Sequence, residues 1–136
     1  MSDNKNVVVI VSGSTSDSEY VNNLVQVLLK ENIYYEKYVS SAHKQTAQTL
    51  ELIQKYEKQD RSIIWVTVAG RSNALSAVIS ANSRFPVIAC PPFKDKVDMM
   101  VNIHSTLQCP SNVPVMTILD TSNAILACKK IFSLLK

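Results

Sequence analysis

Two short runs limit what this chain can fold into more than anything else in it. Val7–Val11 is a continuous apolar, β-branched stretch, and Ser62–Val68 carries Ile63, Ile64, Trp65, Val66 and Val68. A strand with one wet face alternates apolar and polar residues. An unbroken apolar strand needs cover on both faces, which a parallel sheet between two helical layers supplies. The intervening segments have the helical period instead. Val21, Leu24, Val25 and Leu28 fall at i, i+3, i+4 and i+7, after a Gly13–Asp17 break in which Ser16 or Asp17 is a natural N-cap.

The alternation continues to the end of the chain. Ile33–Val39 has strand propensity, and Ala47, Leu50, Ile53 and Tyr56 mark a helix ending near Lys58. Beyond the Ser62–Val68 strand, Ala69–Asn73 breaks the chain and Ala74–Ser83 reads as a short helix of small residues. Pro86–Ala89 is a short strand stopped by Cys90-Pro91-Pro92. Asp95–Leu107 is a helix, Val113–Leu119 a fifth strand, and Ser122–Leu135 a closing helix that starts at Ser122 or Asn123. Five strands alternating with five helices imply right-handed crossovers in a single α/β domain over residues 1–136. The expected fold is a doubly wound, parallel five-stranded sheet in a flavodoxin-like three-layer sandwich, strand order 2-1-3-4-5.

Bulk properties exclude several function classes. A net charge of +3 with scattered Lys and Arg leaves no nucleic-acid footprint. No apolar run approaches the length of a membrane span. Met1–Asn6 is polar and lacks a signal peptide's apolar stretch, so a cytoplasmic protein is expected. Cys90, Cys109 and Cys128 are widely spaced and odd in number, against a disulfide scaffold or zinc site and for a reducing compartment. Charged residues are 18%, below the usual quarter, which suits a surface partly covered by other subunits and equally a somewhat apolar monomer.

In an open α/β sheet the ligand crevice lies beyond the carboxyl ends of the strands, where the strand order reverses. Here that is between the first and third strands, so three turns matter. Gly13-Ser14-Thr15-Ser16-Asp17 offers a glycine for close backbone approach, hydroxyls and a following helix start, which together bind an anion or simply cap a helix. Asp17 repels phosphate but accepts from ribose hydroxyls. Ser40-Ser41-Ala42-His43-Lys44 puts an imidazole able to move a proton at neutral pH beside a fixed cation; a surface His–Lys pair is the equal alternative. Ala69-Gly70-Arg71-Ser72-Asn73 adds a guanidinium that forks onto phosphate or carboxylate, with Ser72 and Asn73 as oxyanion donors or helix caps.

Other candidates are weaker. His104 lies among Val101, Ile103 and Leu107 and reads as structural, and Cys90 reads as a packing cysteine. The dinucleotide, P-loop, hydrolase and zincin motifs are absent. A response regulator would need a phospho-acceptor Asp where the third strand runs into Ala69-Gly70.

GSTSD, SSAHK and AGRSNALSAVISANSRFPVIACPP, with STLQCPSNVPVMTIL near the C-terminus, together resemble the AIR carboxylase family of purine synthesis, across almost the whole chain. That family has a mutase branch, which rearranges N5-carboxyaminoimidazole ribonucleotide, and a branch that adds free CO2 to aminoimidazole ribonucleotide (AIR). Ser41-Ala42-His43-Lys44 and Ala69–Leu75 resemble the CO2-using branch. Pro110-Ser111-Asn112 stands where the family has PSG, and Asn112 keeps the left-handed turn within reach. Ala74–Val78 departs from the GLGPV common after AGRSN.

The resemblance implies a cofactor-free and metal-free enzyme whose partners are AIR and CO2 or bicarbonate, and a homo-octamer in which Ser76–Asn82 and Cys90–Phe93 supply contacts. It further implies that Ser14, Ser16, Ser41 and Arg71 hold the phosphate, with Lys44 near the carboxylate or phosphate and Asp17 on the ribose. His43 would exchange the proton at carbon 4. Gly13, Ala42, Ala69, Gly70 and Ser72 would line the pocket, Gly70 and Ser72 beside the base and CO2. Three rivals remain: the mutase on the same fold, a non-catalytic flavodoxin-like module that binds a nucleotide or a partner protein, and a phosphosugar- or nucleotide-processing enzyme of another reaction type.

Overall fold

The computed structural model describes residues 4–135. Residues 1–3 of the polar N-terminal segment, and residue 136 at the end of the expected domain, lie outside it. Five strands and five helices alternate: β1 Asn6–Ser12, α1 Ser18–Lys30, β2 Tyr35–Val39, α2 Thr46–Glu57, β3 Ser62–Val68, α3 Ala74–Asn82, β4 Val87–Ala89, α4 Lys96–Leu107, β5 Met116–Thr117 and α5 Thr121–Phe132. All pairings are parallel, in the order β2-β1-β3-β4-β5. The chain therefore has the expected flavodoxin-like three-layer sandwich and strand order.

The two apolar runs form the centre of the sheet. Val7, Val9 and Val11 of β1, with Ile63 and Trp65 of β3, point to the layer that holds Leu52, Ile53 and Tyr56 of α2 and Leu75 and Ile79 of α3. Val8, Ile10, Ile64, Val66 and Val68 point the other way. They pack on Leu24 and Leu28 of α1 and Ile125, Cys128 and Phe132 of α5. Each fully buried Leu, Ile or Val stabilises the fold by roughly 1.5–3 kcal/mol relative to exposure. Trp65 has no exposed surface; its indole N–H donates to Ser83 Oγ at 2.9 Å, so this large ring is buried without an orphaned donor. Helix α4 contributes to neither core.

Several boundaries differ from the sequence reading, each for a local reason. The second strand begins at Tyr35, because Asn32 takes a left-handed conformation at φ 58° and the Ile33 N–H returns to the Leu28 carbonyl, closing α1. The inward face of α2 is Thr49, Leu52, Ile53 and Tyr56; Ala47 is exposed and Leu50 half-buried. The fifth strand shrinks to Met116–Thr117, since Pro114 has no N–H to give a ladder. The last helix is capped by Asp120, whose side chain accepts the Asn123 N–H, rather than by Ser122 or Asn123. Asn112 does take the left-handed turn, at φ 68°. His104 is exposed, not packed, because α4 turns its apolar side outward.

Candidate functional site

The first and third strands are neighbours, so the turns that follow them meet. The Gly13 N–H donates to the Val68 carbonyl at 3.0 Å, and the Ser40 N–H to the Ser12 carbonyl at 2.9 Å, tying all three turns to one rim of the sheet. Below the second turn, Ser40 Oγ and Thr49 Oγ1 lie 2.6 Å apart in a buried pair that fixes the start of α2. A cleft of about 200 Å³ opens over this rim. It is lined by Gly13, Ser14, Asp17, Ser41, Ala42, His43, Lys44, Ala69, Gly70, Arg71, Ser72 and Leu75. Every residue that the resemblance places at the site is in that lining except Ser16.

Ser16 lines a second, larger cavity of about 480 Å³ beside the first, with Glu19, Tyr20, Pro92, Phe93, Lys94, Asp98 and Asn102. Asp17, Gly70 and Arg71 border both cavities, so the two form adjoining halves of one crevice. Ser14 and Ser16 still act together: their hydroxyl oxygens are 2.9 Å apart, and Ser14 Oγ accepts the Ser16 N–H at 3.1 Å. Ser14 thus caps a three-residue 3-10 turn, Thr15–Asp17, ahead of α1. Asp17 occupies the N-cap of α1 but makes no side-chain capping bond. Burial without a partner raises its carboxyl above the ordinary value of 3.8.

The second turn is held by its own side chains. Ser41 Oγ accepts the Lys44 N–H at 3.1 Å, the Ser41 N–H donates to Gln45 Oε1 at 3.0 Å, and Thr46 Oγ1 donates to the Ala42 carbonyl at 2.6 Å. These bonds hold the backbone and leave the exposed His43 and Lys44 side chains at the cleft.

In the third turn Asn73, not Ser72, is the cap of α3, its Oδ1 accepting the Ser76 N–H at 3.2 Å. Neither glycine adopts a left-handed backbone, and Gly70 is the one that packs closely on a side chain. A Cβ at Gly70 would stand 3.4 Å from Asn102 Nδ2, whereas one at Gly13 would meet only Ala69 Cβ at 3.8 Å.

Arg71 is not free. Its Nη2 lies 2.6 Å from Asp98 Oδ1, while Asp98 Oδ2 accepts the Lys94 N–H at 3.0 Å. The Lys94 N–H and then the guanidinium hold the Asp98 carboxyl below its ordinary value. Asp98, Lys94 and Asn102 lie outside the three turns that the sequence singles out, and so escape it. Since β4 adjoins β3, the turn after β4 also reaches the crevice. The available signal was polar residues, Asp98, Asn102 and Thr106, at four-residue spacing in a helix that also carries Val97, Met99, Met100, Val101, Ile103 and Leu107.

Cys90 is fully buried as a packing cysteine; its thiol lies 3.6 Å from the Leu119 carbonyl, and burial with the nearby Asp120 pushes it up to about 12. It is no nucleophile. Among the described residues no three His, Cys, Asp or Glu side chains gather as a metal-ligand group, and no helix is long and apolar enough to cross a membrane.

A family model described as AIR carboxylase matches residues 7–136. A phosphoribosylaminoimidazole carboxylase of Archaeoglobus fulgidus is 44% identical over 126 residues, covering 93% of this chain and 68% of that protein. The phosphoribosylaminoimidazole carboxylase of Treponema denticola is 35% identical, covering 94% and 80%. A Drosophila melanogaster bifunctional carboxylase and succinocarboxamide synthetase is 38% identical, but this chain spans only 30% of it. The crystal structure of Treponema denticola PurE superposes with a TM-score of 0.89 at 34% identity, covering 96% of this chain and 82% of that one.

Proposed function

The chain belongs to the AIR carboxylase family of purine biosynthesis, and on that premise we propose that it is the carboxylase itself, adding CO2 to carbon 4 of AIR. The observation that carries the proposal is the meeting of His43, the two glycine turns and Arg71 around one crevice. Two features favour the carboxylase over the mutase: the loop pair Ser41–Lys44 and Ala69–Leu75, and the carboxylase names of the Archaeoglobus and Treponema relatives.

AIR is an enamine within a ring. The lone pair of its exocyclic amine raises electron density at carbon 4, whose π electrons form the new bond to CO2. Carbon 4 is then tetrahedral and carries both hydrogen and carboxylate. His43 takes that hydrogen as a proton, the C–H electrons return to the ring, and the aromatic product forms; the reverse reaction uses the same proton. Neither metal nor cofactor enters this account. The protein holds the ring, traps CO2 beside it and keeps water out, and positioning supplies most of the acceleration.

The roles follow the crevice. Ser14, Ser16 and Ser41 donate to the phosphate together with Arg71, with Lys44 near the phosphate or carboxylate. Asp17 accepts from ribose hydroxyls; its carboxyl lies above its ordinary value because burial strips it of water. Gly70 and Ser72 border the base and CO2, with Gly13, Ala42 and Ala69 completing the wall. Residues 1–136 act as one domain in the cytoplasm, assembled as a homo-octamer. The support for assembly is α4, which exposes Val97, Met100, Val101 and Leu107. Of Ser76–Asn82 and Cys90–Phe93, Ser76, Ile79, Cys90 and Pro91 are buried within the chain, while Ala81, Asn82 and Phe93 are exposed alongside the α4 face.

The test is turnover with AIR and bicarbonate, followed by absorbance, against the N5-carboxylated substrate without ATP. Activity on AIR alone is expected; activity confined to the N5-carboxylated compound would give the protein to the mutase branch. In the same assay His43→Asn should lower turnover at least about a hundredfold while leaving AIR binding intact. Full turnover in that variant removes His43 from the mechanism.

A further inference from the structure

Helix α4 is built inside out, and what it turns inward is polar. Its inward side chains meet the turn after β3 one by one. Asp98 pairs with Arg71 at 2.6 Å, Ser105 Oγ accepts the Asn73 N–H at 2.6 Å, and Thr106 Oγ1 accepts the Asn73 side-chain N–H at 3.0 Å. Asn102 is the exception. Only 4% exposed, it donates from Nδ2 to the Pro92 carbonyl at 2.5 Å, and this bond fixes which way the amide points. Its Oδ1 is buried and has no hydrogen-bond partner among the described residues. A Cβ on Gly70 would stand 3.5 Å from that oxygen, so the oxygen lies against the bare face of the glycine that borders both halves of the crevice. Such an orphaned acceptor carries its full desolvation cost until a donor arrives.

We propose that Asn102 Oδ1 is the acceptor that recognises the exocyclic amine of the substrate ring, an inference that rests on the carboxylase reading above. The chemistry of AIR fits. One ring nitrogen carries the ribose and the other is an acceptor, so the amine holds the only N–H donors of the base. When carbon 4 bonds to CO2, the amine lone pair moves into the ring and its nitrogen takes on iminium character. A hydrogen bond from that nitrogen to a fixed carbonyl oxygen therefore strengthens as the adduct forms. Because the Pro92 bond already sets the orientation, the amide itself need not turn at that moment.

The test pairs a change in the protein with a change in the ligand. Binding of AIR, and of the imidazole ribonucleotide with hydrogen in place of the amine, is measured by calorimetry on the whole chain. Wild type should prefer AIR by about tenfold or more, and Asn102→Leu should erase most of that preference while holding the analogue within about twofold of wild type. A preference that survives in the variant, or an equal loss for both ligands, overturns the proposal. Should the leucine variant not fold, wild type decides alone: a preference for AIR below about threefold overturns it. Wild type that binds neither ribonucleotide instead strikes down the carboxylase reading, and this inference with it.

Discussion

Helices α1 and α4 are nearly the same length and play opposite parts. In α1 the apolar residues Val21, Leu24, Val25 and Leu28 are buried and the polar ones face water. In α4 Asn102 and Thr106 are the buried residues, while Val97 is 75% and Leu107 61% exposed. The first helix serves the core, and its pattern is complete within one chain. The second serves the crevice with its inner side and leaves an apolar outer side that one chain does not cover, an arrangement expected of a surface shared between copies. The pair shows that an apolar stripe on a helix need not be buried against the chain's own core.

The contrast can be broken by substitution, and the effects should fall in a definite order. Leu24→Ala in α1 removes a fully buried side chain of the core and should cost about 2–5 kcal/mol of unfolding free energy in urea. A loss below about 1 kcal/mol would mean that α1 is not the core helix described. Asn73→Ala removes one of the links between α4 and the turn after β3, the side-chain bond to Thr106. Asn73 Oδ1 accepts both the N–H and the hydroxyl of Ser76, and its Nδ2 reaches Thr106. Loss of that cap should cost about 0.5–2 kcal/mol, with a raised KM for AIR. On the outer side, Val97→Ser combined with Met100→Ser should change single-chain stability by no more than about 0.5 kcal/mol. Light scattering should nonetheless show the assembly falling to smaller species. An unchanged mass would place the subunit contact elsewhere.

Much of the fold was legible, and the reason is local. β1, β3 and α1 each carry a pattern whose burial is decided by their own residues and by the sheet beside them. The crevice was legible at Gly13, His43 and Gly70 because strand order alone brings those turns together. What escaped the sequence is what depends on a distant element. Ser16 faces the larger cavity because the 3-10 turn at Thr15–Asp17 rotates it away from its neighbours. His104 reads as buried only if α4 packs its apolar side inward, and it does not. Asp98 and Asn102 gain their meaning from Arg71 and Gly70, roughly thirty residues earlier, and no spacing rule within α4 names those partners.

The smallest expected effect is also the most specific to the inner side of α4. The Asp98 carboxyl is held below its ordinary value of 3.8 by the Lys94 N–H and by Arg71. With the folded value depressed, the unfolded chain binds more protons across the window between the two values. The contribution of Asp98 to stability is therefore complete above the ordinary value and is lost as pH falls through the folded one. Asp17 works in the opposite sense, since burial raises its value, and an acid titration of wild type alone would mix the two. Comparing wild type with Asp98→Asn removes that ambiguity, because Asp17 is common to both. The gap between their urea midpoints should be present at neutral pH and close on acidification below about pH 4. Added salt should narrow it as well, since the Arg71 side chain is 62% exposed. A gap that persists undiminished in acid would show that Asp98 supports the crevice through its hydrogen-bonding shape rather than its charge.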